Sequence, residues 1–299
     1  MNQSEMTAKI KQGDGFIAAL DQSGGSTPKA LTGYGYQGDE WSSDEEMFGL
    51  IHKMRARIIT SPCFGSGKVI GAILFERTMD GDIDGTPVPQ ALIERGIVPF
   101  IKIDKGLEDE DNGVQMMKPM PELDALLERA KGLGVFGTKE RSVINLANPA
   151  GIAVLIAQQF QVAKQVLAHG MMPIIEPEVN IKSAERDPCD RALLAGILSE
   201  LDEIGDDQQV MLKLSLPAEA GLFTPLVEHP KVLRVVALSG GFSRGEACRE
   251  LARNPGMIAS FSRALLSDLR QDQSDAEFDQ VLGTAINDIY AASTAKVPA

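Results

Sequence analysis

Eight short apolar runs punctuate the chain, and several lack the alternation of a half-exposed strand. They are GFIAAL at 15–20, VIGAILFE at 69–76, IVPFIKI at 97–103, GVFGTKE at 134–140, MMPIIEPE at 171–178, VMLKL at 210–214, LRVVALSGG at 233–241 and MIASFSR at 257–263. Continuous apolar runs of this length read as strands buried on both faces, the condition of a parallel sheet covered by helices. Helical patterns lie between them, at 120–134, 152–170, 190–205 and 243–256. Gly132 and Gly134 offer a helix stop, and Gly170 stands in a C-cap position. Eight strand-then-helix units in about 250 residues imply an α/β fold, a TIM (β/α)8 barrel. The expected layout is one domain over 1–299, with a polar N-terminal helix and a C-terminal tail from about 285 to 299. A doubly wound open sheet is the runner-up, but it usually carries fewer strands and a Gly-rich nucleotide loop. GYGYQG at 33–38 matches G-x-G-x-x-G only formally, because no strand directly precedes it. GSGK at 65–68 has Pro62 where a P-loop needs its first glycine, and it reads as a turn.

Composition narrows the partners. The net charge of -13 argues against nucleic acid or an anionic membrane surface as a general partner. No run approaches the roughly 20 apolar residues that span a bilayer, and MNQSEMTAKIKQGDG has no apolar signal core. Cys63, Cys189 and Cys248 are few and far apart, which fits a reducing compartment. A cytoplasmic protein is expected. His52, His169 and His229 show no paired ligand spacing, so neither a metal nor another cofactor is expected. A homo-oligomer is left open.

Against this acidic background, charges inside the apolar runs are the informative residues. The first run ends in Asp21. Lys102 and Asp104 close the third, Lys139 and Arg141 the fourth, Glu176 and Glu178 the fifth. Lys213 sits in the middle of VMLKLSLP, and the last two runs end in Ser239-Gly240-Gly241 and Ser262-Arg263. Each pair two residues apart shares one face of its strand. Burying an unpaired ammonium such as Lys213 costs several kcal/mol or more, or strips its proton. In a barrel these residues would meet at the carboxyl ends of the strands, where active sites lie. The chemistry suggested is amine catalysis on a small anionic substrate. A desolvated lysine among other cations attacks a carbonyl, and the resulting imine draws electrons from a neighbouring C–C bond. Glu176 or Glu178 can supply a proton for dehydration, and Asp21 can serve as base at a departing hydroxyl. Ser239, Gly240, Gly241 and Arg263 suit a phosphate site late in the barrel. Two other readings remain at this stage. In one, a glycoside hydrolase uses the Glu176/Glu178 pair; in the other, a non-enzymatic protein binds sugar phosphates.

Eight motifs in order, from GFIAALDQSGGSTPKAL through GAILFERTMDG, GIVPFIKIDKG, FGTKERS, PIIEPEVNI, VMLKLSLP and VVALSGGFSR to SFSRALLSDLR, resemble class I fructose-1,6-bisphosphate aldolase in its short bacterial form. The resemblance implies a metal-independent TIM-barrel lyase of glycolysis and gluconeogenesis, with a phosphorylated sugar as substrate. It implies that Lys213 forms the Schiff base with dihydroxyacetone phosphate and that Glu176 is the acid/base for imine formation, supported by Glu178. Asp21 would act at the C4 hydroxyl. Lys139 would stabilise the carbinolamine and depress the Lys213 pKa. Lys102 and Arg141 would bind substrate and its second phosphate. Ser239, Gly240, Gly241, Ser262 and Arg263 would hold the phosphate of the ketose half, with Ser26 and Lys29 near the distal one. Three positions depart from the longer members. Ala30 stands for an arginine, Glu140 for a tryptophan, and Tyr290 is followed by AASTAKVPA where a terminal tyrosine is expected. Another Schiff-base barrel, transaldolase-like and acting on a related sugar phosphate, is chemically close.

Overall fold

The computed structural model describes residues 1–297. Eight strands follow one another through one sheet in chain order: β1 Phe16–Leu20, β2 Val69–Leu74, β3 Val98–Lys102, β4 Gly137–Ile144, β5 Met172–Val179, β6 Val210–Ser215, β7 Val232–Leu238 and β8 Ile258–Ala259; a ninth, Val114–Gln115, pairs antiparallel with β4 outside this series. Every neighbouring pair in this series is parallel. The sheet closes nearly into a barrel, with the Ala19 amide donating to the Phe261 carbonyl at 3.1 Å. A TIM barrel is therefore the fold.

Two of the apolar runs differ from the strands. The fourth is displaced, because β4 continues through ERSVI to Ile144. Its charged residues point to opposite faces, so apolarity alone does not mark its length. The eighth shrinks to two residues before the chain turns into the short helix Arg263–Leu266. Helices cover the outside, among them Asp44–Thr60, Leu123–Gly132, Pro149–Ala168, Arg186–Asp202 and Arg244–Ala252. The helix Pro149–Ala168 stops just before Gly170, whose φ of 71° takes the left-handed turn expected of it. The expected tail from about 285 is instead helical as far as Thr294. Asp275–Thr294 opens on a Ser274/Glu277 capping box and buries Ile286, Ile289 and Ala292. Residues 298 and 299 of that expected tail lie outside the described residues. Among the described residues no helix is long and apolar enough to cross a membrane.

The core has two parts. The larger lies between strands and helices. The smaller fills the barrel interior with Ile17, Ala19, Ile73, Val98, Phe100, Ile174, Met211, Val236 and Ile258. Phe100 meets Phe136 edge-on at 5.4 Å. Gly71 makes room for it, since a Cβ there would come within 3.3 Å of the Phe100 ring. The helix Gln3–Gln12 contributes Met6 and Ile10 to this interior cluster, and an Asn2/Glu5 capping box fixes its start. Climbing the same strand faces toward their carboxyl ends, the side chains change from hydrocarbon to charge: Ile17, Ala19, Asp21; Val98, Phe100, Lys102, Asp104; Ile174, Glu176, Glu178; Met211, Lys213.

Candidate active site

The strand period of two places these charges in the interior, and parallel pairing sets them side by side. Lys139 on β4 pairs in register with Lys102 on β3, and Arg141 with Glu176 on β5. The result is a chain of buried ion pairs. Lys213 Nζ lies 3.0 Å from Glu176 Oε1. Lys139 Nζ lies 2.9 Å from Glu176 Oε2, 2.7 Å from Asp21 Oδ2 and 3.9 Å from Asp104 Oδ2. Lys102 Nζ donates to Asp104 Oδ1 at 2.6 Å and to its carbonyl at 2.8 Å. Nearer the rim, Arg141 Nε donates to Glu178 Oε2 at 2.6 Å.

The electrostatics follow from burial working against these neighbours. Burial raises the Glu176 carboxyl, but Lys139 and Lys213 outweigh it and hold the group below its ordinary value. Asp21 is likewise held far down, burial being overcome by Lys139 and Lys213. Burial works against the Lys139 ammonium, and Asp21, Glu176 and Asp104 together raise it. Burial lowers Lys102, with Asp104 opposing. The lysines thus alternate with carboxylates. Lys139 is paired with Asp21 and Glu176, and Lys102 with Asp104.

A cavity of about 820 Å³ opens above this network. Its lining brings together Asp21, Lys102, Lys139, Arg141, Glu176, Glu178 and Lys213 with Ser26, Lys29, Ser239, Gly240, Ser262 and Arg263. Gly241 does not line it. It sits behind Arg263, and a Cβ there would lie 3.7 Å from Nη2 of that arginine. Gly240 turns the loop after β7 at φ 59°, a conformation that costs a side-chain-bearing residue about 1 kcal/mol or more. Among the described residues, neither Lys29 nor Arg263 has an acidic partner, so the rim carries free positive charge over a neutralised floor. Such a site can hold an anion at its edge while an amine and a carboxylate meet at its base.

Four residues without a sequence-derived role also belong to this region. Gln22 and Arg270 line the cavity. Asp104 is the partner of Lys102, a role that its two-residue spacing in IKID could have suggested. Arg55 is buried behind Gln22, and nothing in the spacing of MRARIIT distinguishes it from a surface arginine.

Comparison with known proteins bears on the fold and the family. The family model "Fructose-bisphosphate aldolase class-I" matches residues 4–213. A fructose-bisphosphate aldolase from Plasmodium falciparum superposes with a TM-score of 0.78 at 21% identity, over 99% of this chain and 96% of that one. An archaeal fructose-1,6-bisphosphate aldolase, solved with its catalytic lysine bound to the carbinolamine intermediate, superposes with a TM-score of 0.54 at 12% identity, over 97% of this chain and all of that one, 100%. At these identities the structural likeness speaks for the fold. The family match covers most of the chain, and the chain belongs to the class I fructose-bisphosphate aldolase family of carbon–carbon lyases.

Proposed function

We propose that the protein is a metal-independent Schiff-base aldolase that reversibly cleaves fructose 1,6-bisphosphate to dihydroxyacetone phosphate and glyceraldehyde 3-phosphate, in cytoplasmic glycolysis and gluconeogenesis. The observation that carries this reading is the 3.0 Å approach of Lys213 Nζ to a Glu176 carboxylate, itself held by Lys139, at the base of a cation-rimmed cavity. Glu176 takes a proton from the Lys213 ammonium, and the free amine attacks the substrate ketone. The carbinolamine hydroxyl leaves as water with a proton returned by Glu176, giving an iminium ion. Asp21 removes the C4 hydroxyl proton. The C3–C4 bond then breaks, its electron pair moves into the iminium, and the aldehyde departs. Protonation of the enamine and hydrolysis free the ketone. Lys139 balances the charge shared by Asp21 and Glu176 through these transfers. Ser239, Gly240, Ser262 and Arg263, with Gly241 behind them, hold the ketose phosphate. Ser26, Lys29, Lys102 and Arg141 serve the distal end, and Glu178 orients Arg141.

The test is trapping. Borohydride added with dihydroxyacetone phosphate should leave one ligand-dependent adduct on the peptide that carries Lys213, and none in Lys213→Met. Activity should persist in excess EDTA. Labelling of Lys139 or Lys102 would move the nucleophile, and an active preparation with no adduct would remove imine chemistry altogether.

A further inference from the structure

Arg55 is the bulkiest fully buried side chain among the described residues, and no carboxylate bonds to it. Its Nη1 donates to Thr78 Oγ1 at 2.7 Å. Its Nη2 donates to the Gln22 carbonyl at 2.5 Å and to Gln22 Oε1 at 3.1 Å. The other end of that amide, Nε2, donates to Ser262 Oγ at 2.6 Å and to the Ala19 carbonyl at 3.3 Å. Burial lowers Arg55 to about 10, with Asp21 opposing, so at neutral pH it remains a cation.

The donor and acceptor chemistry of this series leaves one arrangement. A guanidinium has five donors and no acceptor, so the atom of Gln22 that faces it is the oxygen. A carbonyl oxygen accepts only, so the atom that faces Ala19 is the nitrogen. The two constraints agree, and the amide cannot turn over without setting donor against donor and acceptor against acceptor. Nε2 therefore offers a hydrogen to Ser262, whose oxygen must accept. The hydroxyl proton of Ser262 is left unspent. The side-chain hydrogen bond of Ser262 is the one it accepts from Gln22, and the residue lies on the cavity wall beside Arg263.

We propose that Arg55 and Gln22 form a polarity relay that fixes Ser262 as a hydrogen-bond donor toward the anionic group bound beside Arg263. Gln22 and Arg55 are positioning residues that never touch the reacting atoms. They determine that the serine meets a phosphate with its proton rather than with a lone pair. The reading of that anion as a sugar phosphate rests on the function proposed above; the relay itself rests on the hydrogen-bond chemistry.

Gln22→Glu tests this at nearly constant shape. The carboxylate accepts from Arg55 and from Ser262 alike, turning the serine proton inward and its lone pairs toward the anion. Inorganic phosphate binding, read by calorimetry, and KM for fructose 1,6-bisphosphate should each worsen about tenfold or more, as when a hydrogen bond to a charged group is lost. kcat should stay within about threefold, since the imine centre keeps its own groups. Ser262→Ala should give a similar loss. In the Ser262→Ala background, Gln22→Glu should add at least about threefold less than it does in wild type, because there is no hydroxyl left to turn. An equal Gln22→Glu effect in both backgrounds would reduce the matter to plain charge repulsion and overturn the relay. So would a fall in kcat with phosphate binding unchanged. Arg55→Gln, which can accept as well as donate, should free the amide and weaken phosphate binding. A folded Arg55→Gln with full phosphate affinity would overturn the part given to Arg55, and if that variant does not fold, the Gln22/Ser262 cycle decides. Wild-type protein that traps no imine yet shows this coupling with inorganic phosphate would sink the aldolase reading and leave the relay standing.

Discussion

Ile174 and Glu176 stand two residues apart on the same face of β5, and they belong to opposite environments. Below the level of Lys102, Glu176 and Lys213 the barrel interior is hydrocarbon, closed by Met6 and Ile10 of the N-terminal helix. At that level and above it is charged, with Asp21, Lys139, Glu176 and Lys213 nearly as buried as the apolar residues beneath them. The lower half needs no reason beyond burial, at about 25 cal/mol for each Å² of apolar surface removed from water. The upper half runs against that term. Desolvating an ion costs several kcal/mol, and well-packed hydrocarbon would often be at least as stable. Four such groups in contact are what the proposed chemistry requires, and the pairing of each cation with carboxylates makes the arrangement tolerable.

The largest expected effect comes from removing the central cation. Lys139→Met leaves Asp21 buried without its cation and Glu176 with Lys213 alone. It should lower unfolding free energy by about 3–5 kcal/mol, read by urea titration, and kcat by about 10²-fold or more. The pH dependence should change with it. Asp21 and Glu176 have depressed carboxyl pKa values in the folded state, so the stability they contribute is present above their unfolded values near 4 and is lost as pH falls through the folded ones. That acid loss should shrink in Lys139→Met. A variant as stable and active as wild type would mean that the upper half does not depend on pairing.

Phe100→Ala probes the lower half. It should cost about 3–5 kcal/mol through the cavity left against Phe136, while kcat per folded molecule stays within roughly threefold. A kcat loss out of proportion to the unfolded fraction would show that the apolar half sets the geometry of the charged half, and the division between them would fail.

The smallest effect lies on the outward face of β4, where Thr138, Glu140 and Ser142 alternate with Lys139 and Arg141. Both Glu140 oxygens are buried and unpartnered among the described residues. Burial, with Asp104 adding to it, raises this carboxyl well above its ordinary value. The folded state then holds a proton that the unfolded chain releases near pH 4.3, so stability falls as pH rises from there toward the folded pKa. Glu140→Gln removes that dependence. It should raise Tm by roughly 2–4 °C at pH 8 and little at pH 4. An unchanged Tm at pH 8 would mean that the outward face is as wet as a surface.

The legibility of the molecule divides along the same line. Eight apolar runs and the helical patterns between them fixed the barrel and its strand order, because hydrophobic periodicity is a local signal. Charges late in those runs marked the residues that gather at the candidate site for the same reason: Lys213 in VMLKL, and Glu176 and Glu178 in IIEPE, break an apolar pattern that the fold continues around them. The neutralisation of Lys139 was hidden, since its partners Asp21 and Glu176 come from strands far apart in sequence. Arg55 gave no signal, because an arginine on an amphipathic helix reads as solvated until Gln22 is seen behind it. The length of β8 was overestimated because Phe261, alternating with Ser260 and Ser262, extends the strand-like pattern after the chain has left the sheet.

The seam where Ala19 donates to Phe261, and where Gln22 reaches Ser262 across 240 residues of sequence, has a consequence for how the molecule is made. β1 leaves the ribosome some 240 residues before its second neighbour. Synthesis at about 5–20 residues per second leaves one edge of β1 without its partner for many seconds. That edge is apolar throughout, the kind of surface that templates association with other chains. Closure is a high-contact-order event, slow by topology. Copies of this chain growing side by side on one messenger are therefore most prone to pair with each other before the eighth strand arrives, and the time limit on correct folding is set at the closing strand rather than in the core.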